Sequence, residues 1–125
     1  MQHILVADDE ADIRRLISFA LQRRGYKVTQ APAGDEALKL AMDEPPDLAV
    51  LDVAMPGLSG LEVTRELAAR PATARVPVIL VSANGQAAEI AAGLASGACA
   101  YIVKPFAPSE LVDRVAAVLG GQCRG

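Results

Sequence analysis

Four short apolar runs, each cut off by a polar residue, set the rhythm of the chain. His3-Ile4-Leu5-Val6-Ala7 ends in Asp8-Asp9-Glu10, and Leu48-Ala49-Val50-Leu51 ends in Asp52. Pro77-Val78-Ile79-Leu80-Val81 ends in Ser82, and Ala100-Tyr101-Ile102-Val103 ends in Lys104-Pro105. Such uninterrupted runs predict strands buried on both faces, as in the middle of a parallel sheet. A fifth strand, Tyr26 to Ala31, alternates with polar residues and reads as an edge strand. The segments between have helical spacing. From Ala11 to Arg24, Ile13, Leu16, Ile17, Ala20 and Leu21 form one stripe, which Gly25 ends. A second helix runs from Gly34 or Asp35 to Met42, stopped by Glu44-Pro45-Pro46-Asp47. Ser59 caps a third over Gly60 to Ala69, and a weakly amphipathic fourth spans Gln86 to Ser96, closed by Gly97. Pro108 opens the last, with Leu111, Val112, Val115, Val118 and Leu119 inward and Gly120-Gly121 just past its end.

Five strands alternating with five helices through short connections predict an α/β fold, a doubly wound parallel sheet with right-handed crossovers. The length of 125 residues suits one domain, able to bury roughly two-thirds of its unfolded surface. Residues 1–120 form that domain in this reading, with 121–125 a flexible C-terminal tail. Composition adjusts the picture only slightly. Without Trp and with few other aromatics, the core is aliphatic. A net charge of −3 gives no footprint for nucleic acid or an anionic membrane. There is no membrane-length apolar run and no basic leader before the first acids. Cys99 and Cys123 alone predict neither a disulfide framework nor a metal-ligand set. The expectation is a cytoplasmic domain.

In a parallel sheet all strand C-termini share one edge, which is where open α/β sheets bind ligands. That edge gathers Asp8, Asp9, Asp52, Ser82 and Lys104. Any one of these has a bland reading: Asp8 as a helix cap, Ser82 as a turn residue, Lys104 as a solvated loop lysine. Together they are far more specific. Crowded carboxylates repel one another, so protons or a cation must join them. An oxygen-only set leaving room for phosphate oxygens suits Mg²⁺. A lysine and a hydroxyl opposite are what phosphoryl transfer requires, and a carboxylate can itself accept the phosphoryl group. His3 also invites a phosphohistidine reading. It begins the strand that Asp8 follows, roughly 16 Å away at the wrong edge, and is set aside.

Asp8-Asp9, Asp52 with Met55-Pro56-Gly57, Ser82-Ala83, and Tyr101-Ile102-Val103-Lys104-Pro105-Phe106 together resemble the receiver domain of two-component response regulators. The resemblance extends from Ile4 to Leu119. It implies a CheY-like, flavodoxin-like sheet of order 2-1-3-4-5. It also implies Asp52 as phosphoacceptor, with Asp8, Asp9, Asp52 and the Ala54 backbone carbonyl as Mg²⁺ ligands. Lys104 would pair with the phosphoryl group, followed by a peptide that is usually cis before Pro105. Ser82 would be the switch hydroxyl and Tyr101 the switch aromatic, while Ala83 leaves room for the phosphate. The implied partners are a histidine kinase or histidine phosphotransfer protein, and a downstream effector or output domain. The implied catalysis is limited to self-phosphorylation from a donor and autodephosphorylation.

The chain departs from many receivers where two acids usually precede the switch aromatic; here stand Cys99-Ala100. The fourth helix offers Ile90-Ala91-Ala92 in place of an arginine. Glu110 and Arg114 therefore lack the partners of a charge-paired dimer. An apolar docking face around Ile90, Leu94 and Phe106 is the expected replacement. Ala54 and Asn84 flank the path of a hydrolytic water, which Asn84 can orient and Ala54 cannot. Met1 at the first strand favours a stand-alone receiver. The alternative function is a Mg²⁺-dependent small-molecule phosphatase or phosphotransferase with an aspartyl-phosphate intermediate, although no cap segment is visible. A phosphorylation-independent interaction domain is a third reading, disfavoured because no member of the acid, serine and lysine set is missing.

Overall fold

The computed structural model describes residues 1–123. The elements run β1 (His3–Ala7), α1 (Ala11–Gln22), β2 (Lys27–Ala31), α2 (Gly34–Asp43), β3 (Leu48–Asp52), α3 (Gly60–Ala69), β4 (Val78–Ser82), α4 (Ala87–Ala95), β5 (Ala100–Val103) and α5 (Pro108–Leu119). The strands form one parallel sheet of order β2-β1-β3-β4-β5. Strands β3 and β4 are buried at every residue, as their unbroken apolar runs require. The polar alternation of β2 puts it at an edge. Pro77 stays outside β4, yet its carbonyl still accepts from Ala49 N–H at 2.9 Å.

Alternation along the strands sorts side chains onto two faces. Ile4, Val6, Val50 and Ile79 pack with Ile17 and Leu21 of α1 and with Leu111 and Val115 of α5. Leu5, Leu51 and Leu80 pack on the other face with Ala37, Val63 and Leu67 from α2 and α3. Each such aliphatic side chain contributes about 1.5–3 kcal/mol on burial. Among the described residues every buried side-chain polar atom has a hydrogen-bond partner.

Three expectations are corrected. Leu16 does not join the buried stripe of α1 but is half-exposed, because Ile17 and Leu21 point the helix inward and leave Leu16 on the flank. Phe106, expected on one face with Ile90 and Leu94, packs like Ile13 against the core cluster on the α1–α5 side of the sheet, to which Ile90 and Leu94 do not belong. Cys99 and Cys123, expected to form no framework, are joined in a disulfide. The residues after α5 therefore turn back onto the domain as far as Cys123, where composition alone suggests a loose tail. Residues 124 and 125 of that tail lie outside the described residues.

Candidate functional site

The ladder hydrogen bonds do not stop where the strands do. Asp8 N–H donates to Ala31 O at 3.1 Å, Val53 N–H to Val81 O at 2.9 Å, and Lys104 N–H to Ser82 O at 2.8 Å. The first residues beyond β1, β3 and β5 are thus held as rigidly as the sheet itself. Asp52 and Ser82 are the last residues of β3 and β4. Four chain segments far apart in sequence so deliver their polar residues to one sheet edge.

There Asp9, Glu10, Asp52, Ala54, Ser82, Ala83, Asn84 and Lys104 line an open cleft of about 380 Å³. Asp8 lies behind it, almost fully buried. The Lys104 ammonium donates to Asp8 Oδ2 at 3.0 Å, Glu10 Oε1 at 3.0 Å and Asp52 Oδ2 at 3.3 Å. Asp8 is fixed further: its Oδ1 accepts from Glu10 N–H at 2.9 Å, and Arg14 Nη1 donates to its carbonyl at 2.8 Å. The peptide between Lys104 and Pro105 is cis.

The electrostatics follow from this crowding. Burial, and then the charge of Asp8, push the Asp52 carboxyl up from 3.8 to about 6, although Lys104 pulls the other way. Burial draws the Lys104 ammonium down, but hydrogen bonds to Asp8 and Glu10 and the charges of Asp52 and Asp8 outweigh it and raise it well above its ordinary value. One lysine does not neutralise this set. Asp8, Asp9, Glu10 and Asp52 each offer a carboxylate oxygen, all within 4.8 Å of one another. An all-oxygen, carboxylate-rich set of this size fits a hard divalent cation, which would relieve the repulsion that raises Asp52.

Beyond the cleft, Asn84 joins two side chains. Its N–H donates to Ser82 Oγ at 3.1 Å, and its carbonyl accepts from the Tyr101 hydroxyl at 2.8 Å. Its side-chain oxygen accepts from Gln86 N–H at 3.0 Å. The Tyr101 ring lies against the backbone of Gly93, where a Cβ would come within 2.7 Å of Cδ2. The sequence residues Asp8, Asp9, Asp52, Ala54, Ser82 and Lys104 all meet at this edge, whereas Tyr101 lies one shell away through Asn84. Sequence reasoning overlooked Glu10 as a partner of Lys104 and Arg14 as a brace. Glu10 had a signal in its adjacency to Asp8-Asp9; Arg14 had none, since its contact depends on where α1 crosses β1. His3, as expected, is at the opposite edge, bound through Nε2 to Thr29 Oγ1 at 2.7 Å.

The sequence model of the response regulator receiver domain matches residues 4–116. The chain belongs to this family. The receiver is 45% identical over 116 residues to the transcriptional regulatory protein ResD of Bacillus subtilis, covering 93% of the chain and 47% of that relative. It is 43% identical to the phosphate regulon transcriptional regulatory protein PhoB of Pseudomonas aeruginosa, covering 93% and 51%. The receiver thus spans about half the length of the curated relatives it matches. Its fold is similar to that of the chemotaxis response regulator CheY4 of Vibrio cholerae, with a TM-score of 0.89 and 31% identity, covering 94% of this chain and 98% of that one. It also resembles the BeF3-activated DrrB receiver domain, with a TM-score of 0.86 and 31% identity, covering 96% and 98%. The five parallel strands in order 2-1-3-4-5 are the CheY-like arrangement. The acidic pocket is consistent with a phosphoacceptor site in a two-component signalling module.

Proposed function

We propose that this chain, with residues 1–120 as the receiver, takes a phosphoryl group onto Asp52 from a histidine of a partner kinase or phosphotransfer protein in the cytoplasm. The observation that carries the reading is the three-way contact of Lys104 with Asp8, Glu10 and Asp52 at the mouth of a cleft that Ser82 also lines. A carboxylate oxygen of Asp52 attacks phosphorus, the P–N bond breaks, and its electron pair returns to the imidazole of the donor. Lys104 exchanges a carboxylate contact for a phosphoryl oxygen, and the Ser82 hydroxyl donates to another. Asp8, Asp9, Asp52 and the Ala54 carbonyl would hold Mg²⁺, which supplies charge neutralisation and orientation for the phosphoryl oxygens.

The readout follows from Asn84. If Ser82 Oγ turns towards a phosphoryl oxygen, it gives up Asn84 N–H, and the segment that carries the partner of the Tyr101 hydroxyl must follow. Tyr101 then redistributes between positions, and the face made by α4, β5 and α5 changes with it. With the usual charges absent, that face would meet its effector or output domain through Ile90 and Leu94. The test is to supply acetyl phosphate with Mg²⁺ and look for an acid-stable, hydroxylamine-labile adduct. Asp52→Asn should abolish it, and labelling that persists in that variant overturns the assignment. Sustained turnover of a phosphate ester would favour a phosphatase instead.

A further inference from the structure

We propose that Cys99 and Cys123 are a thiol–disulfide switch, opened by a protein dithiol and closed by a small disulfide such as oxidised glutathione, that sets how firmly the end of α5 is fastened to the sheet. The two cysteines are placed by unrelated devices. Cys99 stands immediately before β5, and its N–H donates to Val78 O at 2.7 Å. Cys123 is delivered by the turn that ends α5: Gly121, at φ +103°, donates to Val118 O at 3.0 Å, and Gln122 N–H donates to Ala117 O at 3.1 Å. Only a residue tolerant of positive φ completes this helix end. The Cα atoms lie 4.8 Å apart across 24 residues, a spacing that a disulfide spans without backbone movement. Its ladder hydrogen bond holds Cys99, and the helix-end bonds of Gly121 and Gln122 keep returning Cys123 to its side, so the reduced thiols can close again.

A permanent staple is the competing reading. Yet the domain has a filled core on both faces of its sheet, and a core of this size is of the kind that folds without a cross-link. In the reducing cytoplasm, where the signalling reading above places it and on which this inference rests for its compartment, disulfides are mostly transient and redox-sensing. Access is also provided. Both cysteines are half-buried and line an open cleft of about 390 Å³ with Arg75, Val76, Pro77 and Val118. The Arg75 guanidinium favours approach of an attacking thiolate.

The exchange balances without another reagent. A partner thiolate attacks one sulfur, displaces the other as a thiolate, and the partner's second thiol resolves the mixed disulfide. Two electrons and two protons pass to Cys99 and Cys123, and the partner leaves as a disulfide; in closure one cysteine thiolate attacks oxidised glutathione and releases one glutathione thiol, and the other cysteine then displaces the second from the mixed disulfide. The covalent ring contains all of β5 and α5, with Tyr101 and Lys104 inside it. Opening it frees the turn after α5 and loosens an edge strand paired on one side only.

The test equilibrates the full 125-residue chain with graded mixtures of reduced and oxidised glutathione, or with excess dithiothreitol, then traps thiols with iodoacetamide for mass measurement. Doubly alkylated and unmodified chains should interconvert reversibly across the glutathione mixtures. Dithiothreitol should lower the melting midpoint by roughly 10 °C. It should also speed amide exchange over residues 99–123 but not in α2 or α3. Cys99→Ser and Cys123→Ser should match the reduced protein and ignore dithiothreitol. A bond that survives excess dithiothreitol in the folded chain, thiols that never close in oxidised glutathione, or unchanged exchange on reduction each overturns the proposal. None of these readouts involves Asp52, so failure to take phosphate would remove the signalling reading separately.

Discussion

Asp52 is held in a state its fold makes uncomfortable. Its carboxyl is raised to about 6 by burial first and the neighbouring Asp8 charge second. The folded state therefore binds this proton more tightly than the unfolded state does. That contribution is fully present below about pH 4 and is lost as pH rises through about 6, which leaves a charged carboxylate in a buried site at pH 7. In chelator, Asp52→Asn should raise stability at pH 7 by on the order of 2 kcal/mol, and the gain should vanish below about pH 4. Thermal melts of the two proteins across that range check it, and millimolar Mg²⁺ should shrink the difference by stabilising the wild type alone. Lys104→Ala has the opposite sign. It leaves buried Asp8 and Asp52 without their counter-charge and should cost about 2–3 kcal/mol at pH 7, less in acid, as read from denaturant midpoints.

At the scale of elements, two helices show how local sequence and packing divide the work. Helix α3 starts on a complete capping box: Ser59 Oγ accepts from Glu62 N–H, and Glu62 Oε1 accepts from Ser59 N–H. Ser59→Ala should cost about 1 kcal/mol in chemical denaturation. Helix α4 has no such side-chain cap, and Gly93 is its one fully buried position. Alanine at 93 gains up to about 1 kcal/mol of helix propensity, but overpacking against the Tyr101 ring typically costs about 1–3 kcal/mol, so the clash wins. Gly93→Ala should be mildly destabilised and should displace the ring from its seat, shifting the Tyr101 ring resonances in NMR spectra.

Across the whole molecule, the sheet separates two jobs. Its C-terminal edge holds the charged cleft, while the α4 flank presents Ile90 and Leu94, half-buried and without the charges that pair many receivers. Ile90→Arg should leave labelling of Asp52 by a small phosphodonor within about twofold, because the residue does not line the cleft. It should weaken phosphorylation-dependent capture of an effector or second receiver about tenfold, equivalent to about 1.4 kcal/mol. Labelling kinetics and a binding titration, run on the same protein, separate the two effects.

The fold was legible because its information is local and repeated. Apolar runs such as Val78 to Val81 declare buried parallel strands, Pro45-Pro46 and Gly97 mark the breaks, and the residue closing each run lands at one edge once the strands are parallel. Asp8, Asp9, Asp52, Ser82 and Lys104 could therefore be gathered before any coordinate was known. What required tertiary structure was every relation between residues of unlike position. Helical periodicity could not tell that Leu16 lies on the flank, since a stripe gives a direction only to within a neighbouring residue, and it is silent on the loop residue Phe106, which packs on the α1–α5 side of the sheet. Spacing could not pair Cys99 with Cys123, which meet only once α5 has packed on the sheet and the turn at its end lies beside the start of β5. Nor could it show that Lys104 grips Glu10 as well as Asp52, because the reach of a lysine is decided by the strands on either side of it.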